Sequence, residues 1–392
     1  MSVTARIVGE SPVRLWGLGS EERLRRQLRA IGVAPGTAGS QVLFLRADYL
    51  FEIRTISSLL TRPGTVVRCA RDGGRAAALV EQADADLVGA GLFDPEAALP
   101  AHLREITPAD LASFDVSLRR AQPPLLEPVS EERRAALEDQ LYGNAYKGIT
   151  DLVTKWMWPR PAKRIVRWCA ALGVTPNAVT AASFVLTCAA ALLFVKGQFA
   201  TGLAAGWLMT LLDTVDGKLA RVTVQSSRFG HYFDHGIDLL HPPFWYLCWG
   251  EAFAELDLLG ILVAAEIYAL ILAGYIGGRL VEGAFHLFAD CSVFSWRPFD
   301  AWFRLFTARR NPCLILLTVA LVAGRPEWGL FAVALWTGLT TLVLLVRLLQ
   351  AGVLRAARGH RLRSWMSEPD AASRHALSYR TFSSTLGAYA PG

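Results

Sequence analysis

The chain is expected to fold as an all-α polytopic membrane domain, with six transmembrane helices and a juxtamembrane amphipathic helix, behind a small N-terminal cytoplasmic α/β domain. Three observations carry this expectation. Of the 392 residues 53% are hydrophobic and only 19% are charged, against about 25% charged in soluble domains. From Ala178 the sequence runs almost without charge for the length of two membrane spans. Residues 1–140 behave differently and alternate strand-like with helix-like segments. Disorder, a collagen-like chain and a disulfide scaffold are excluded. Cys69, Cys169, Cys188, Cys248, Cys291 and Cys313 lie far apart with no CxxC pair, so they read as small hydrophobes and not as a zinc site or a disulfide framework.

In the N-terminal part, ERLRRQLRAIGV (22–33) has the spacing of an amphipathic helix followed by a turn. QVLFLRADYL (41–50) is an apolar strand ending in Asp48, EIRTISSLLTRPG continues as a short helix, and TVVRCARDGG (65–74) is another strand closed by a Gly turn. QPPLLEPV (122–129) is a Pro-rich linker, and SEERRAALEDQLY (130–142) restarts a helix with Ser130 as its N-cap. The opening MSVTARIVGESPVRLW has no apolar h-region, so no cleaved signal is expected and later helices must direct insertion.

The character changes at Tyr146. Residues 147–173 set Trp156, Trp158 and Trp168 beside Lys155, Arg160, Lys163, Arg164 and Arg167, which suits a helix lying among lipid headgroups. Nucleic acid also attracts basic and aromatic residues together, but the uncharged segments that follow favour the membrane, and no nucleic-acid partner is expected. Spans are expected at 178–195, from 199 through the DTVDGKLAR run, and at about 232–253, 258–283, 311–324 and 327–348, a bilayer requiring ~20 residues each. The fifth is short and is open to an earlier start than Asn311. Lys218, Arg221, Arg228, Arg297, Arg304, Arg309, Arg310, Arg347, Arg355, Arg358, Arg361 and Arg363 fall on one side, and only Lys196 and Arg325 on the other. By the positive-inside rule the basic side is cytoplasmic. Both termini are then cytoplasmic in a multi-pass inner (cytoplasmic) membrane protein. The domains read as 1–140, 147–350 and a basic tail at 351–392.

Two spans carry carboxylates that lipid would not tolerate. Asp213 and Asp216 stand at i and i+3 on the second, Asp234 and Asp238 at i and i+4 on the third; each pair shares a helical face. A short loop joins the helices, so the pairs can face each other near the cytoplasmic surface. Four buried acids cost several kcal/mol each if unpaired. Lys218 and Arg221 offset part of this, and hard carboxylate oxygens suit one or two Mg²⁺ or Mn²⁺ ions, which usually share a substrate phosphate. Gly217 and Ala220 lack bulk and would admit a flat group or a neighbouring helix. A transporter's ion-pair network and plain helix packing are the alternative readings.

Asp213-xx-Asp216-Gly217-xx-Ala220-Arg221, eight residues, then Gly230-xxx-Asp234-xxx-Asp238 resembles the CDP-alcohol phosphotransferase signature at every fixed position. Thr175-Pro176-Asn177-xx-Thr180 resembles the segment that opens the first span in that family, and the resemblance covers roughly residues 147–350. It implies transfer of a substituted phosphoryl group from a CDP-linked alcohol to a hydroxyl acceptor, with release of CMP. It implies that Asp213, Asp216 and Asp234 hold divalent metal, two ions being expected, with Asp238 a ligand, the general base, or both. Gly217 and Ala220 would admit the cytidine, Arg221 would help hold the donor, and Asn177 and Thr180 belong to the same donor site. His235 and His241 sit close to the acids without being required by the motif. Arg279, Glu282, Arg309 and Arg310 are candidates for the acceptor side, as anchors of a lipid or polyol phosphate or as snorkelling interface residues. Membrane lipids are expected partners, and self-association into a homodimer is left open.

The N-terminal segment RLWGLGSEERLRRQLRAIGV with VLFLRADYLFE resembles the start of a sugar-phosphate nucleotidyltransferase, where a strand ends in a metal-binding Asp, here Asp48. The Gly-rich nucleotide loop is missing, Val13-Arg14-Leu15-Trp16-Gly17 standing in its place, so a non-catalytic remnant that docks or regulates is expected. Asp234-His235-Gly236 resembles the choline/ethanolamine branch, whereas the fused N-terminal domain resembles the inositol branch. A cation-coupled transporter is the competing function, whose mark would be discontinuous helices.

Overall fold

The computed structural model describes residues 2–36, 39–94, 96–225, 228–253, 257–258 and 262–383; of residues 35, 228–235, 257–258 and 262–263 it describes the backbone only. The N-terminal domain begins with β1 (Val3–Val8), the tight hairpin β2 (Arg14–Leu15) and β3 (Leu18–Gly19), α1 (Ser20–Ala30) and β4 (Ala34–Pro35). It continues through β5 (Gln41–Arg46), β6 (Tyr49–Phe51), α2 (Ile53–Leu60), β7 (Thr65–Arg68), β8 (Arg75–Glu81), α3 (Ala85–Gly91) and β9 (Arg104–Ile106). A six-stranded mixed sheet runs in the order β4-β1-β5-β8-β7-β9, with β1–β5 parallel and β5–β8 antiparallel. The alternation of VLFL in β5 feeds two cores. Leu43 and Leu45 pack with Leu24, Leu28 and Ile56, while Val42 and Phe44 pack with Val88 and Leu92. A central strand buried on both faces reads as an unbroken apolar run, as it does here.

Beyond the sheet lie β10 (Phe114–Asp115), β11 (Arg120–Ala121), β12 (Leu126–Pro128), which pairs with β6, and α4 (Arg134–Asn144). Ser130 does not cap that helix. Its carbonyl accepts from the Arg133 amide in a turn, and Arg133 is tied back to Glu127 at 3.0 Å, so the helix starts at Arg134.

Six helices follow at the expected places, after the juxtamembrane α5 (Pro159–Leu172): α6 (Pro176–Val195), α7 (Phe199–Val222), α8 (Arg228–Gly250), α9 (Ala264–Phe285), α11 (Arg310–Val322) and α12 (Pro326–Arg358), with a short α10 (Pro298–Phe306) before the fifth. Three of them, α6, α9 and α12, are long and apolar enough to cross a membrane among the described residues. The pair α10 and α11, bent by 45°, makes a fourth if it counts as one span. On α7 the motif's own charges interrupt the apolar run. The expected start at 258 moves to Ala264, and α12 runs past 350 to Arg358. Beyond it the chain is no loose tail as far as Ser383: Trp365, Met366, Ala371 and Phe382 are buried with Phe285, Phe294 and Leu305.

On α5, Trp168 is 66% and Leu172 80% exposed, as an interfacial helix requires. α9 and α12 approach closely where a Cβ at Gly274 would come within 2.9 Å of Thr337, the small-residue packing usual between membrane helices. Arg347 of α12 grips Asp300 of α10 with two bonds of 2.7 and 2.8 Å.

The N-terminal domain is sewn to the membrane domain at one end of α7. Arg23, buried on α1, donates to the carbonyls of Val222 and Leu15, both at 2.8 Å, and Arg26 donates to Thr223 at 3.0 Å. The bonds to Val222 and Thr223 satisfy carbonyls that the last turn of a helix leaves open and set cations at its negative end. Trp16, at the tip of the β2–β3 hairpin, packs with Tyr142, Tyr146, Val215 and Leu219 in a core shared by both domains.

Candidate active site

Asp213 and Asp238 come from different helices and meet on one guanidinium. Arg310, the first residue of α11, donates Nη2 to Asp213 at 2.5 Å and Nη1 to Asp238 at 2.6 Å. Three helices are joined by this contact. Asp213 lies more than two turns inside the end of α7, and Asp238 lies as far inside α8, so the acids sit deeper along their helices than a terminal position. Asp216, 4% exposed, faces α6 instead. There Thr180, one turn past a helix start made by Thr175 as N-cap and Pro176, donates its hydroxyl to Asp216 Oδ2 at 2.7 Å.

α8 holds Asp238 by an unusual means. Pro242 and Pro243 lie inside the helix and lack the amides that would bond four residues back, which frees the carbonyls of Asp238 and Leu239. The Tyr275 hydroxyl of α9 fills the gap, 2.9 Å from the Leu239 carbonyl and 3.4 Å from that of Asp238.

The remaining expected residues fall as follows. The Arg221 guanidinium donates to the Gly217 carbonyl at 2.9 Å and reaches that of Ala145 at 3.4 Å. A Cβ at Gly217 would meet only that guanidinium, at 3.2 Å, and Ala220, the residue before Arg221, is half-buried. Lys218 is buried with its ammonium 3.9 Å from the centre of the Tyr146 ring. Asn177 lines a cavity of about 530 Å³ between α1 and the start of α6, with Glu22, Arg26, Arg29 and Gln225. Asp234, Gly230 and His235 lie on α8, but their side chains are outside the described residues. His241 is buried, bonds the Ile237 carbonyl at 2.6 Å and packs edge-on against Trp245. It lines an apolar groove of about 440 Å³ between α6 and α8, with Phe184, Leu240 and Phe244, which suits a core role more than metal ligation.

Of the residues expected on the acceptor side, Glu282 contacts Arg309 and lies 3.8 Å from Arg279. Three cations that the sequence did not single out for the site stand nearby: Arg119, Arg304 and Lys147. Burial pulls the Lys147 ammonium down to about 8, helped by Arg119, Arg221 and Arg304, with Asp238 acting the other way. Arg119 is drawn down to about 10, again by burial first and by Arg304 next. The signal was missing because Arg119 belongs to the N-terminal domain and only the fold brings it here.

Asp213, Asp216 and Asp238 offer hard carboxylate oxygens that suit a divalent cation. Among the described residues no three His, Cys, Asp or Glu side chains form a ready metal cluster. Arg310 already neutralises two of the acids, so an ion bound there would have to share them with it. In the N-terminal domain Asp48 is held by Arg46 through bonds of 3.0 and 2.5 Å.

Residues 173–357 match the CDP-alcohol phosphatidyltransferase family. An archaetidylinositol phosphate synthase of Pyrococcus horikoshii is 40% identical over 84 residues, 21% of this chain and 43% of its own length. A phosphatidylinositol phosphate synthase of Mycobacterium marinum is 33% identical over 115 residues, 29% of this chain and 48% of its own. A cholinephosphotransferase 1 of Gallus gallus is 32% identical over 128 residues, 30% of this chain and 37% of its own. The chain thus spans less than half the length of each of these relatives.

Proposed function

We propose that this chain, with a CDP-alcohol phosphatidyltransferase match over residues 173–357, is an integral-membrane phosphotransferase of lipid biosynthesis. It moves a substituted phosphoryl group from a CDP-linked alcohol to an acceptor hydroxyl and releases CMP. The observation that carries this reading is the meeting of Asp213 and Asp238, from the two halves of the motif, on Arg310.

In this reading Asp213, Asp216, Asp234 and Asp238 hold Mg²⁺ or Mn²⁺, which when bound neutralises the pyrophosphate and the leaving CMP. Thr180 fixes the Asp216 carboxylate. Gly217 and Ala220 leave room for the cytidine, with Arg221 and Asn177 at its edge. Asp238, whose side chain is 45% exposed, takes the proton of the acceptor hydroxyl. That oxygen attacks the phosphorus bearing the alcohol, the bond to the bridging oxygen breaks, and CMP leaves with the electron pair. The apolar groove beside α8 is suited to a lipid chain.

The six helices all cross the inner membrane in this reading, and both termini are cytoplasmic. The N-terminal domain is a nucleotidyltransferase-like remnant without catalysis, since Asp48 is engaged by Arg46 and the hairpin in place of a nucleotide loop is committed to Trp16 packing. The transporter alternative finds no support, because the named relatives are a cholinephosphotransferase and synthases.

The test is CMP release by purified protein offered a panel of CDP-alcohols and CDP-diacylglycerol, with and without chelator. Release from at least one donor, abolished by excess EDTA and restored by Mg²⁺ or Mn²⁺, is expected. Undiminished release in EDTA would remove the metal assignment, and no release from any donor would remove the reaction.

A further inference from the structure

Lys218 is a buried cation whose nearest partner is a ring. It stands on α7 between Gly217 and Arg221 of the motif and is only 6% exposed. Among the described residues no hydrogen bond or ion pair reaches its ammonium, which lies 3.9 Å from the centre of the Tyr146 ring. A ring offsets only part of what burying a charge costs. The charges around it do not close the gap. Arg221 and Lys147 are cations, and the acids Asp213 and Asp216 are engaged elsewhere, by Arg310 and by Thr180. A methionine would fill the same place beside Tyr146, Val215, Leu219 and Val222 without that penalty.

Lys218 and Arg221 are three residues apart, so they share a face of α7 and repel each other. Both lean on the same short stretch of chain. Arg221 reaches the Ala145 carbonyl at 3.4 Å, and Lys218 lies over the next residue, Tyr146. Two like charges gathered at one place are stable together when an anion comes between them. The donor of the proposed reaction brings such an anion, its diphosphate.

That stretch is fixed from the N-terminal domain. Tyr142 and Tyr146 are one helical turn apart. The Tyr142 hydroxyl donates to the Pro159 carbonyl at 2.9 Å and accepts from the Tyr146 hydroxyl at 2.7 Å. Trp16 lies against Tyr142 with ring centres 5.9 Å apart, and Tyr142 meets Tyr146 edge-on at 5.3 Å. In the β2–β3 turn Trp16 has φ +52° and Gly17 φ +75°. A two-residue turn of this kind favours Asn-Gly, and a bulky side chain is rare in that conformation. Here its contacts hold it: the Trp16 amide donates to Glu138 Oε1 and its indole to the Glu138 carbonyl, both at 2.9 Å. A row of three rings thus runs from the hairpin to the Lys218 ammonium.

We propose that Lys218 is a phosphate ligand of the CDP-alcohol donor beside Arg221, and that Tyr146 is the residue that positions it, backed by Trp16 of the N-terminal domain. This rests on the phosphotransferase reading above and adds a residue to its donor site. A lysine serves phosphate as a mobile point charge, where an arginine offers a fixed fork, so the ring gives Lys218 the placement that its own side chain lacks. The N-terminal domain, without chemistry of its own, then sets donor affinity.

The test uses the full-length protein in nanodiscs of neutral lipid at saturating Mn²⁺. Calorimetry with CMP and with cytidine isolates the phosphate. Lys218→Met should weaken CMP binding about 10–100-fold, the range for a charge-assisted bond, and leave cytidine within about twofold. Its melting temperature should hold or rise, because a buried charge is gone; a packing residue would lose stability instead. Lys218→Arg should restore part of the affinity. Tyr146→Leu should weaken CMP about 2–10-fold, what a cation–ring contact is worth, while Tyr146→Phe keeps the ring and the affinity. In the Lys218→Met background Tyr146→Leu should add nothing, since the two act through one contact. Trp16→Leu should follow Tyr146→Leu in direction. CMP bound by Lys218→Met as tightly as by wild type overturns the lysine's role and leaves the phosphotransferase reading intact. So does equal weakening of CMP and cytidine. A further loss from Tyr146→Leu in the Lys218→Met background overturns the positioning role. Failure of CMP to bind the folded wild-type protein would bring down the donor reading itself, and the lysine's role with it.

Discussion

Thr180→Val separates two roles for one hydroxyl. Valine keeps the shape of threonine and deletes only the donor, and the bond in question is short (2.7 Å) and buried, with Thr180 5% and Asp216 4% exposed. A hydrogen bond to a charged group contributes about 1.5–3 kcal/mol, and water has little access to replace it. If Thr180 acts by fixing Asp216, the substitution should weaken the enzyme's apparent affinity for Mn²⁺ about 10–100-fold, the usual effect of losing an outer-shell partner of a metal ligand. Activity should return at high Mn²⁺, and Thr180→Ser should stay near wild type. The assay is CMP release titrated with Mn²⁺ at fixed saturating CDP-alcohol, repeated with the donor varied at saturating Mn²⁺. An unchanged metal dependence combined with a raised donor KM would refute this reasoning and return Thr180 to direct contact with the nucleotide.

Asp238→Asn should lower kcat by roughly 10²–10⁴-fold, the contribution of a general base, with CDP-alcohol binding by calorimetry close to wild type; binding lost as badly as in Asp213→Asn would make Asp238 chiefly a metal ligand. Tyr275→Phe strands the carbonyls that Pro242 and Pro243 free, so it should cost about 1–3 kcal/mol of stability, measured by thermal melting in detergent, and lower kcat through the misset Asp238. Lys147 is charged below about 8 and neutral above it, so KM for a phosphorylated acceptor should rise as pH climbs from about 7 to about 9 while Lys147→Arg flattens the profile. The sign for stability is opposite, because a lysine depressed from 10.5 is harder to protonate in the fold: stability is lost as pH falls from 10.5 to about 8 and changes no further below.

Helical spacing set Asp213 and Asp238 on faces that can meet, whereas Asp216, expected beside Asp213, turns to Thr180 of α6, and Asp234's side chain lies outside the described residues; the α/β alternation of the first domain was legible because β5 is apolar on both faces. Contacts between remote segments were not. Arg310 reads from the sequence as an acceptor anchor, but it reaches Asp213 and Asp238 across 97 and 72 residues, and no local pattern announces that bridge. Pro242 and Pro243 declare in the sequence that two carbonyls are freed; nothing declares that Tyr275 supplies the donor. Thr180 was identified for the donor site by its motif, while its nearest charged neighbour, Asp216, depends on how α6 packs against α7. The onset of α9 and the fold-back after α12 escaped because apolar content marks a helix better than it marks its ends.

The bonds from Arg23 to α7 also set a timetable for biosynthesis. The carbonyl that Arg23 needs lies 199 residues later in the chain. At the ~5–20 residues per second of translation that is a wait of ~10–40 s. Throughout it the first domain carries an Arg23 guanidinium bonded only to Leu15 and a Trp16 ring tied to Glu138 but not yet covered by Val215 and Leu219, beside a membrane that attracts both. The domain can close its own sheet in that interval, but it cannot finish its surface until α7 has been threaded and released. Docking is thus a late step, and a nascent chain stalled before Val222 should display Trp16 to protease and to chaperones alike.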